Sequence, residues 1–323
     1  MSYRYAPELA AAVAQLPHRD LTDLAGTRRA LRQAIAAQPL VDTTGVTVSD
    51  LIVSGLPGRP DVQIRLYQPE GHDPAGRAPA ILHAHGGGFV MCDVESSHPR
   101  NVDLVRELDV TLVSVDYRLA PEHPYPAALD DVHAALRWLA DEADTLGVDR
   151  DRVAVHGISA GAALVAGLAL LVRDRGGPPI CFQYLGIPVL DDRQQTASIT
   201  RFTDTPQWDA TKAALSWTAY LGDGVPGTDG TSPYAAPARA ADLAGLPPAY
   251  ISAMEFDPLR DEAVEYAEAL IATGVPTELH VFPGTFHGSS AFRHAPITRR
   301  EQAEEVAVLQ AALAATPVLE DVQ

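Results

Sequence analysis

The chain has 323 residues, 46% of them apolar and 20% charged, with 24 Lys and Arg against 42 Asp and Glu for a net charge of −18. This is the balance of a folded globular chain of one large or two ordinary domains, and it excludes disorder over most of the length. The acidic excess also excludes a nucleic-acid partner, which needs clustered Lys and Arg; the basic pair Arg299-Arg300 is followed at once by Glu301.

Taken in order, Pro7–Leu16 and Asp23–Gln38 are predicted helices, the second from the helical spacing of Leu24, Leu31 and Ile35. From Val46 the period changes. Val46–Val48 and Leu51–Val53 lead through the Gly and Pro of residues 55–60 to alternating Val62, Ile64 and Leu66, the pattern of a β-hairpin. Short strands then alternate with helices. Ala80–Leu82, Val110–Val115, Arg152–His156, Ile180–Leu185, Ala249–Ala253 and Glu278–Phe282 are the strands. Helices are expected near Arg100–Leu108, over Leu129–Leu139 and over the apolar Ala160–Arg173. Such alternation implies a mostly parallel sheet covered on both faces. Residues 190–240 contain no strand and are read as an insertion over one end of the sheet.

Cys92 and Cys181 are too few for a disulfide framework or a four-thiolate metal site and are expected as buried free thiols. Residues Met1–Glu8 lack the apolar core of a signal peptide. The longest apolar run, Ala160–Val172, is shorter than the roughly 20 residues that cross a bilayer. A soluble, cytoplasmic protein without a membrane partner is the expectation.

Three segments carry chemistry. In Val153–Gly161, Gly157, Ser159 and Gly161 form G-x-S-x-G between a strand and an apolar helix, the setting of a nucleophile elbow. The turn is tight enough that residues two before and two after the nucleophile must lack side chains, and the helix aims its first N–H groups at the same spot. In His85-Gly86-Gly87-Gly88-Phe89, directly after a strand, the glycines let backbone N–H donors approach a reacting group. Removing one donor to a developing oxyanion typically costs about 3–4 kcal/mol of transition-state stabilisation. A nucleophilic Ser needs a base and the base an orienting carboxylate. His287 and Asp257 each lie just past a late strand, where catalytic groups of α/β folds collect. The order Ser159, Asp257, His287 is that of α/β-hydrolases. Asp261 is the rival acid, set aside because it opens the helix holding Val264 and Leu270. His83 and His85 alternate on a strand, but no third ligand completes a metal site. His156 is read as packed in the sheet and His280 as a satisfied strand residue.

Together these segments, with Asp116-Tyr117-Arg118-Leu119-Ala120-Pro121-Glu122-His123 and Asp257-Pro258-Leu259-Arg260-Asp261-Glu262, resemble the hormone-sensitive-lipase-like family of bacterial carboxylesterases, over roughly residues 80–290. Leu243–Pro248 and Phe282–Gly288 look closest to acetyl esterases of the heroin-esterase type. The resemblance implies an α/β-hydrolase fold with a mostly parallel eight-stranded sheet, helices on both faces and a helical cap. The cap would comprise residues 1–45 and an insertion around 190–225 within a catalytic domain of residues 46–323. It further implies catalytic Ser159, Asp257 and His287, oxyanion N–H groups from Gly87, Gly88 and Ala160, and a structural role for Tyr117–Pro126. No cofactor and no metal are expected, and a homodimer is the oligomer that similar esterases suggest. Three positions depart from the family pattern. Ile158 replaces an acidic residue, Ala162 replaces a Gly, and Ser289 replaces an aromatic that would shape the pocket rim.

The implied activity is hydrolysis of small, short-acyl esters through an acyl-enzyme. Alternatives are a non-catalytic binding protein on this scaffold, a lipase, or an amidase using the same triad. Trp208, Trp217, Phe202 and Tyr220 are candidates for either pocket lining or cap core. A negative surface repels a carboxylate product, so neutral or cationic esters are the expected substrates.

Overall fold

Residues 3–14, 16 and 19–314 are described by the computed structural model; Gln15 of the first expected helix and 315–323 of the expected catalytic domain lie outside the described residues. The expected hairpin is β1 (Val46–Val53) and β2 (Val62–Pro69), antiparallel over all eight residues of each. The strands that follow are β3 (Ala78–Ala84), β4 (Thr111–Asp116), β5 (Val148–Ile158), β6 (Phe182–Gly186), β7 (Ala249–Phe256) and β8 (Thr277–Phe286). They form one eight-stranded sheet in the order β1-β2-β4-β3-β5-β6-β7-β8. The β1–β2 and β2–β4 pairs are antiparallel, and β4 through β8 pair in parallel.

Helix α1 (Pro7–Val13) and helix α2 (Leu24–Ala36) precede the sheet. Between strands lie α3 (Val94–Leu108), α4 (Ala127–Asp141), α5 (Ala160–Arg175), α6 (Ala197–Arg201), α7 (Ala210–Leu221) and α8 (Arg260–Ala272), and α9 (Pro296–Ala314) follows β8. α5 is buried at every position from Ala160 to Val172, which is why its sequence is apolar all round. With α4 and α8 it packs into the larger core, while Val102 and Val105 of α3 and Leu309 and Leu313 of α9 pack on the other face.

Several bounds differ from expectation for local reasons. α3 starts at Val94, a turn and a half before the expected Arg100, because Asp93 caps it by accepting from Glu95 N. β8 runs on through Pro283 and Gly284. It is the last strand of the sheet, and an edge strand tolerates a proline that has no N–H to donate. α9 was not anticipated. Cys92 and Cys181 are free thiols but only partly buried. Among the described residues no group of His, Cys, Asp and Glu could hold a metal ion, and no helix is long and apolar enough to cross a membrane.

The N-terminal helices close over the carboxyl ends of the strands. Leu9 of α1 is buried against Phe286, and Ala6 N donates to Gly284 O at 2.9 Å. Arg28 of α2 donates to Val90 O at 2.6 Å and to Ala120 O at 2.8 Å, and pairs with Glu122. α6 and α7 come from the strand-free insertion.

Candidate active site

Ser159 stands between β5 and α5 with φ 56° and ψ −116°, a left-handed conformation that only a tightly held turn imposes on a serine. The flanking glycines are sterically required. A Cβ at Gly157 would strike the Gly161 backbone and lie 2.5 Å from Ala162 N. One at Gly161 would strike Ala84 O and lie 2.5 Å from His85 O. Ser159 N donates to Gly186 O at 2.7 Å, fixing the elbow to the end of β6.

Ser159 Oγ lies 2.9 Å from His287 Nε2, and His287 Nδ1 lies 2.7 Å from Asp257 Oδ2. The other oxygen, Asp257 Oδ1, accepts from Leu259 N at 2.9 Å. All three side chains are buried, so the chain of hydrogen bonds is shielded from water. His287 follows β8 and Asp257 follows β7, at the same edge of the sheet as Ser159. Asp261 is turned elsewhere: it accepts from Ser198 N at 2.7 Å and from Arg260 Nε at 2.8 Å, tying α8 to α6.

The glycine loop after β3 has its carbonyls occupied. Tyr117 Oη donates to His85 O at 2.8 Å, and His85 Nδ1 lies 2.7 Å from Gly86 O. Burial lowers His85 to about 4, so the neutral ring donates that proton. Gly87 O accepts from Val90 N and Met91 N, and Gly88 O from Ser216 Oγ at 2.9 Å. The N–H groups of Gly87 and Gly88 have no acceptor among the described residues. Ala160 is the first residue of α5, so its N–H has no intrahelical acceptor either. Gly88 has φ 59°, and a Cβ there would strike the Trp208 ring and lie 3.3 Å from Ser216 Oγ. Trp208 therefore rests directly on the loop; its ring centroid is 5.8 Å from that of His287.

These groups border a cavity of about 370 Å³, lined among others by Gly87, Gly88, Ser159, Trp208 and His287. Of the four aromatic candidates only Trp208 reaches it. Tyr220 stacks on Phe89 at 3.9 Å beside Trp217, and Phe202 packs against Phe256. Cys92 lines the cavity, and burial pushes its thiol up to about 11, so it is held in the protonated form near neutral pH.

The departures resolve individually. Ile158 sits in an apolar cluster with Ile187, Met254 and Phe282, so no polar partner is missing behind Ser159. Ala162 is fully buried in the core. Ser289 is also buried, its hydroxyl directed at Met254 Sδ, and does not form the rim as expected; Gly288, Ser290 and Ala291 do. In the Tyr117–Pro126 stretch, Arg118 holds Asp131 and Glu122 holds Arg28, both away from Ser159.

The residues missed from sequence are on α9 and its neighbours. His156 is not merely packed: its Nε2 lies 2.8 Å from Glu305 Oε1, and its Nδ1 lies 2.8 Å from His83 Nδ1. Glu301 and Glu305 line the cavity too. Their spacing with Leu309 and Leu313, four residues apart throughout, is the helical stripe that could have revealed an inward face.

A sequence profile of the α/β-hydrolase fold matches residues 81–291. The esterase LipI of Mycobacterium tuberculosis is 43% identical over 243 residues, 75% of this chain and 74% of its own. The ethyl acetate hydrolase of Pseudomonas putida is 34% identical over 243 residues, 74% of each chain. Among solved structures, a bacterial heroin esterase superposes with a TM-score of 0.94 at 45% identity, over 97% of this chain and 99% of that one.

Proposed function

The chain belongs to the carboxylic ester hydrolases of the α/β-hydrolase fold, and from that premise we propose that it cleaves small, short-acyl esters through an acyl-enzyme on Ser159. The observation that carries this reading is the unbroken hydrogen-bond chain Ser159–His287–Asp257 at 2.9 and 2.7 Å, beside two loop N–H groups that have no other acceptor.

In the first step His287 Nε2 takes the Ser159 proton as Oγ attacks the acyl carbon, and Asp257 holds the imidazole tautomer and stabilises the imidazolium. The oxyanion is received by the N–H groups of Gly87, Gly88 and Ala160, already oriented before substrate arrives. His287 then gives its proton to the leaving alcohol, and the acyl group remains on Ser159. In the second step His287 activates water, which releases the carboxylic acid and restores the hydroxyl.

A cavity of about 370 Å³ suits a small ester, and the name of the ethyl acetate hydrolase relative points the same way. The aromatic ring of Trp208 on the oxyanion loop limits the space beside the reacting carbon. Nitrophenyl acetate with the wild type and Ser159→Ala tests the assignment: burst-phase release of nitrophenol is expected from the wild type alone. Equal turnover by Ser159→Ala would remove the nucleophile from this account.

A further inference from the structure

The whole-chain charge of −18 does not describe the cavity. Two carboxyl side chains line it, Glu301 and Glu305, against three guanidinium groups, those of Arg19, Arg100 and Arg293. Four of these five are already paired or uncharged. Arg100 Nε donates to Glu305 Oε2 at 2.8 Å, and Arg293 is paired with Asp103. Glu301 keeps its proton to about 8, through burial and then through the Glu305 carboxylate, so it is uncharged near neutral pH.

Arg19 is the fifth. It lies in the cap segment between α1 and α2, half-buried, and its guanidinium has neither a hydrogen bond nor an ion pair among the described residues. Its charge is felt at Cys92, and a Cβ at Gly87 would lie 3.0 Å from Cys92 Cβ, so Arg19 stands on the side of the oxyanion loop. Asp93, whose carboxylate also faces Cys92, is occupied in capping α3 through Glu95 N. Ser97 Oγ and the Gln38 side-chain amide line the same cavity without hydrogen bonds among the described residues, and add neutral donors.

The cavity therefore carries one uncompensated guanidinium charge. An alkyl substituent packed on it would strip water from the guanidinium and return no partner, whereas a carboxylate can take two of its N–H groups at once. Acidic groups elsewhere on the chain do not cancel this attraction, because at physiological salt their field is screened beyond about 8 Å. Resting on the esterase reading above, we propose that Arg19 is a specificity residue that binds a carboxylate carried by the ester, on its acyl or its alcohol part, away from the scissile bond. The enzyme then prefers such anionic esters over neutral isosteres, the opposite of what net charge alone predicts.

The test compares each carboxylate with its carboxamide, which keeps the shape and removes the charge. Monoethyl glutarate against ethyl glutaramate places the group on the acyl part, and γ-acetoxybutyrate against γ-acetoxybutyramide places it on the alcohol part. In at least one series the carboxylate should have the higher kcat/KM, and Arg19→Gln should lower that ratio by about tenfold. Arg19→Lys, which keeps the charge and loses the planar fork, should retain part of it. Both esters of a pair are measured on one preparation, so an inactive fraction of a variant cancels from the ratio, and the wild-type ratios stand without any variant. No preference for the carboxylate in either series, or a preference that Arg19→Gln leaves in place, overturns the role of Arg19. A wild type that hydrolyses neither these esters nor ethyl acetate overturns the esterase reading, and the role of Arg19 with it.

Discussion

Replacing Asp257 by Asn separates this account from its nearest rival. The carboxylate serves two donors at once: Oδ1 takes the Leu259 N–H at 2.9 Å and Oδ2 takes the His287 Nδ1 proton at 2.7 Å. An asparagine has one acceptor oxygen and one NH₂. The backbone N–H of Leu259 can only donate, so it claims the oxygen and turns the NH₂ toward His287. The imidazole can satisfy that NH₂ only by moving its own proton from Nδ1 to Nε2. In that tautomer Nε2 cannot accept the proton of Ser159. A wrong-tautomer triad loses about 10⁴ in kcat, or about 5 kcal/mol of transition-state stabilisation. The fold should persist, because the shape and the Leu259 bond are kept. Asp261→Asn, which loosens only the tie to α6 and Arg260, should stay within about tenfold of wild type. Steady-state kcat on nitrophenyl acetate, with far-UV circular dichroism as the folding control, measures both. If Asp261→Asn is the crippled variant while Asp257→Asn retains activity, the tautomer argument and the choice of acid are refuted.

Gly161→Ala would drive a methyl into the carbonyl oxygens of Ala84 and His85, a backbone-on-backbone clash that no rotamer relieves. Its unfolding free energy, read from the urea midpoint, should drop by at least the about 1–3 kcal/mol typical of overpacking. Gly88→Ala should cut kcat by about 10² through a displaced oxyanion loop, and adding Trp208→Ala, which removes the ring the methyl strikes, should recover part of it. A double-mutant cycle on kcat reads that coupling, and strict additivity would deny the contact. Glu301 keeps its proton to about 8, mainly through burial and then through the neighbouring Glu305 carboxylate. An unfolded glutamate releases its proton near 4.5, so between these values the folded chain holds more protons and stability falls as pH rises. Glu301→Gln should flatten that part of the fall, as read from urea midpoints across the window.

The motif-bearing half of the site was legible because its chemistry constrains local sequence. Gly157 and Gly161 are forced by the elbow, the Gly87–Gly88 turn needs positive φ, and the late Asp and His follow strand ends. The preference for Asp257 over Asp261 rested on one residue's position relative to a helix start, and the two side chains do point to different partners. What sequence left hidden is what arises between distant segments. Nothing near His156 announces Glu305, 149 residues away. α9 mixes Glu301, Glu304 and Glu305 with apolar residues, so its inward face reads as solvated charge until Arg100 and His156 are seen to meet it. The insertion is legible only by its missing strands, and nothing local separates Trp208, in the loop before α7 and on the cavity, from Trp217, buried within α7.

The central claim is that Ser159 carries the acyl group. Intact-protein mass spectrometry after treatment with a fluorophosphonate, followed by peptide mapping, measures this directly. One adduct per chain, located on Ser159 and absent from Ser159→Ala, is the expected result. An active enzyme that takes no label, or takes it at another residue, contradicts the account.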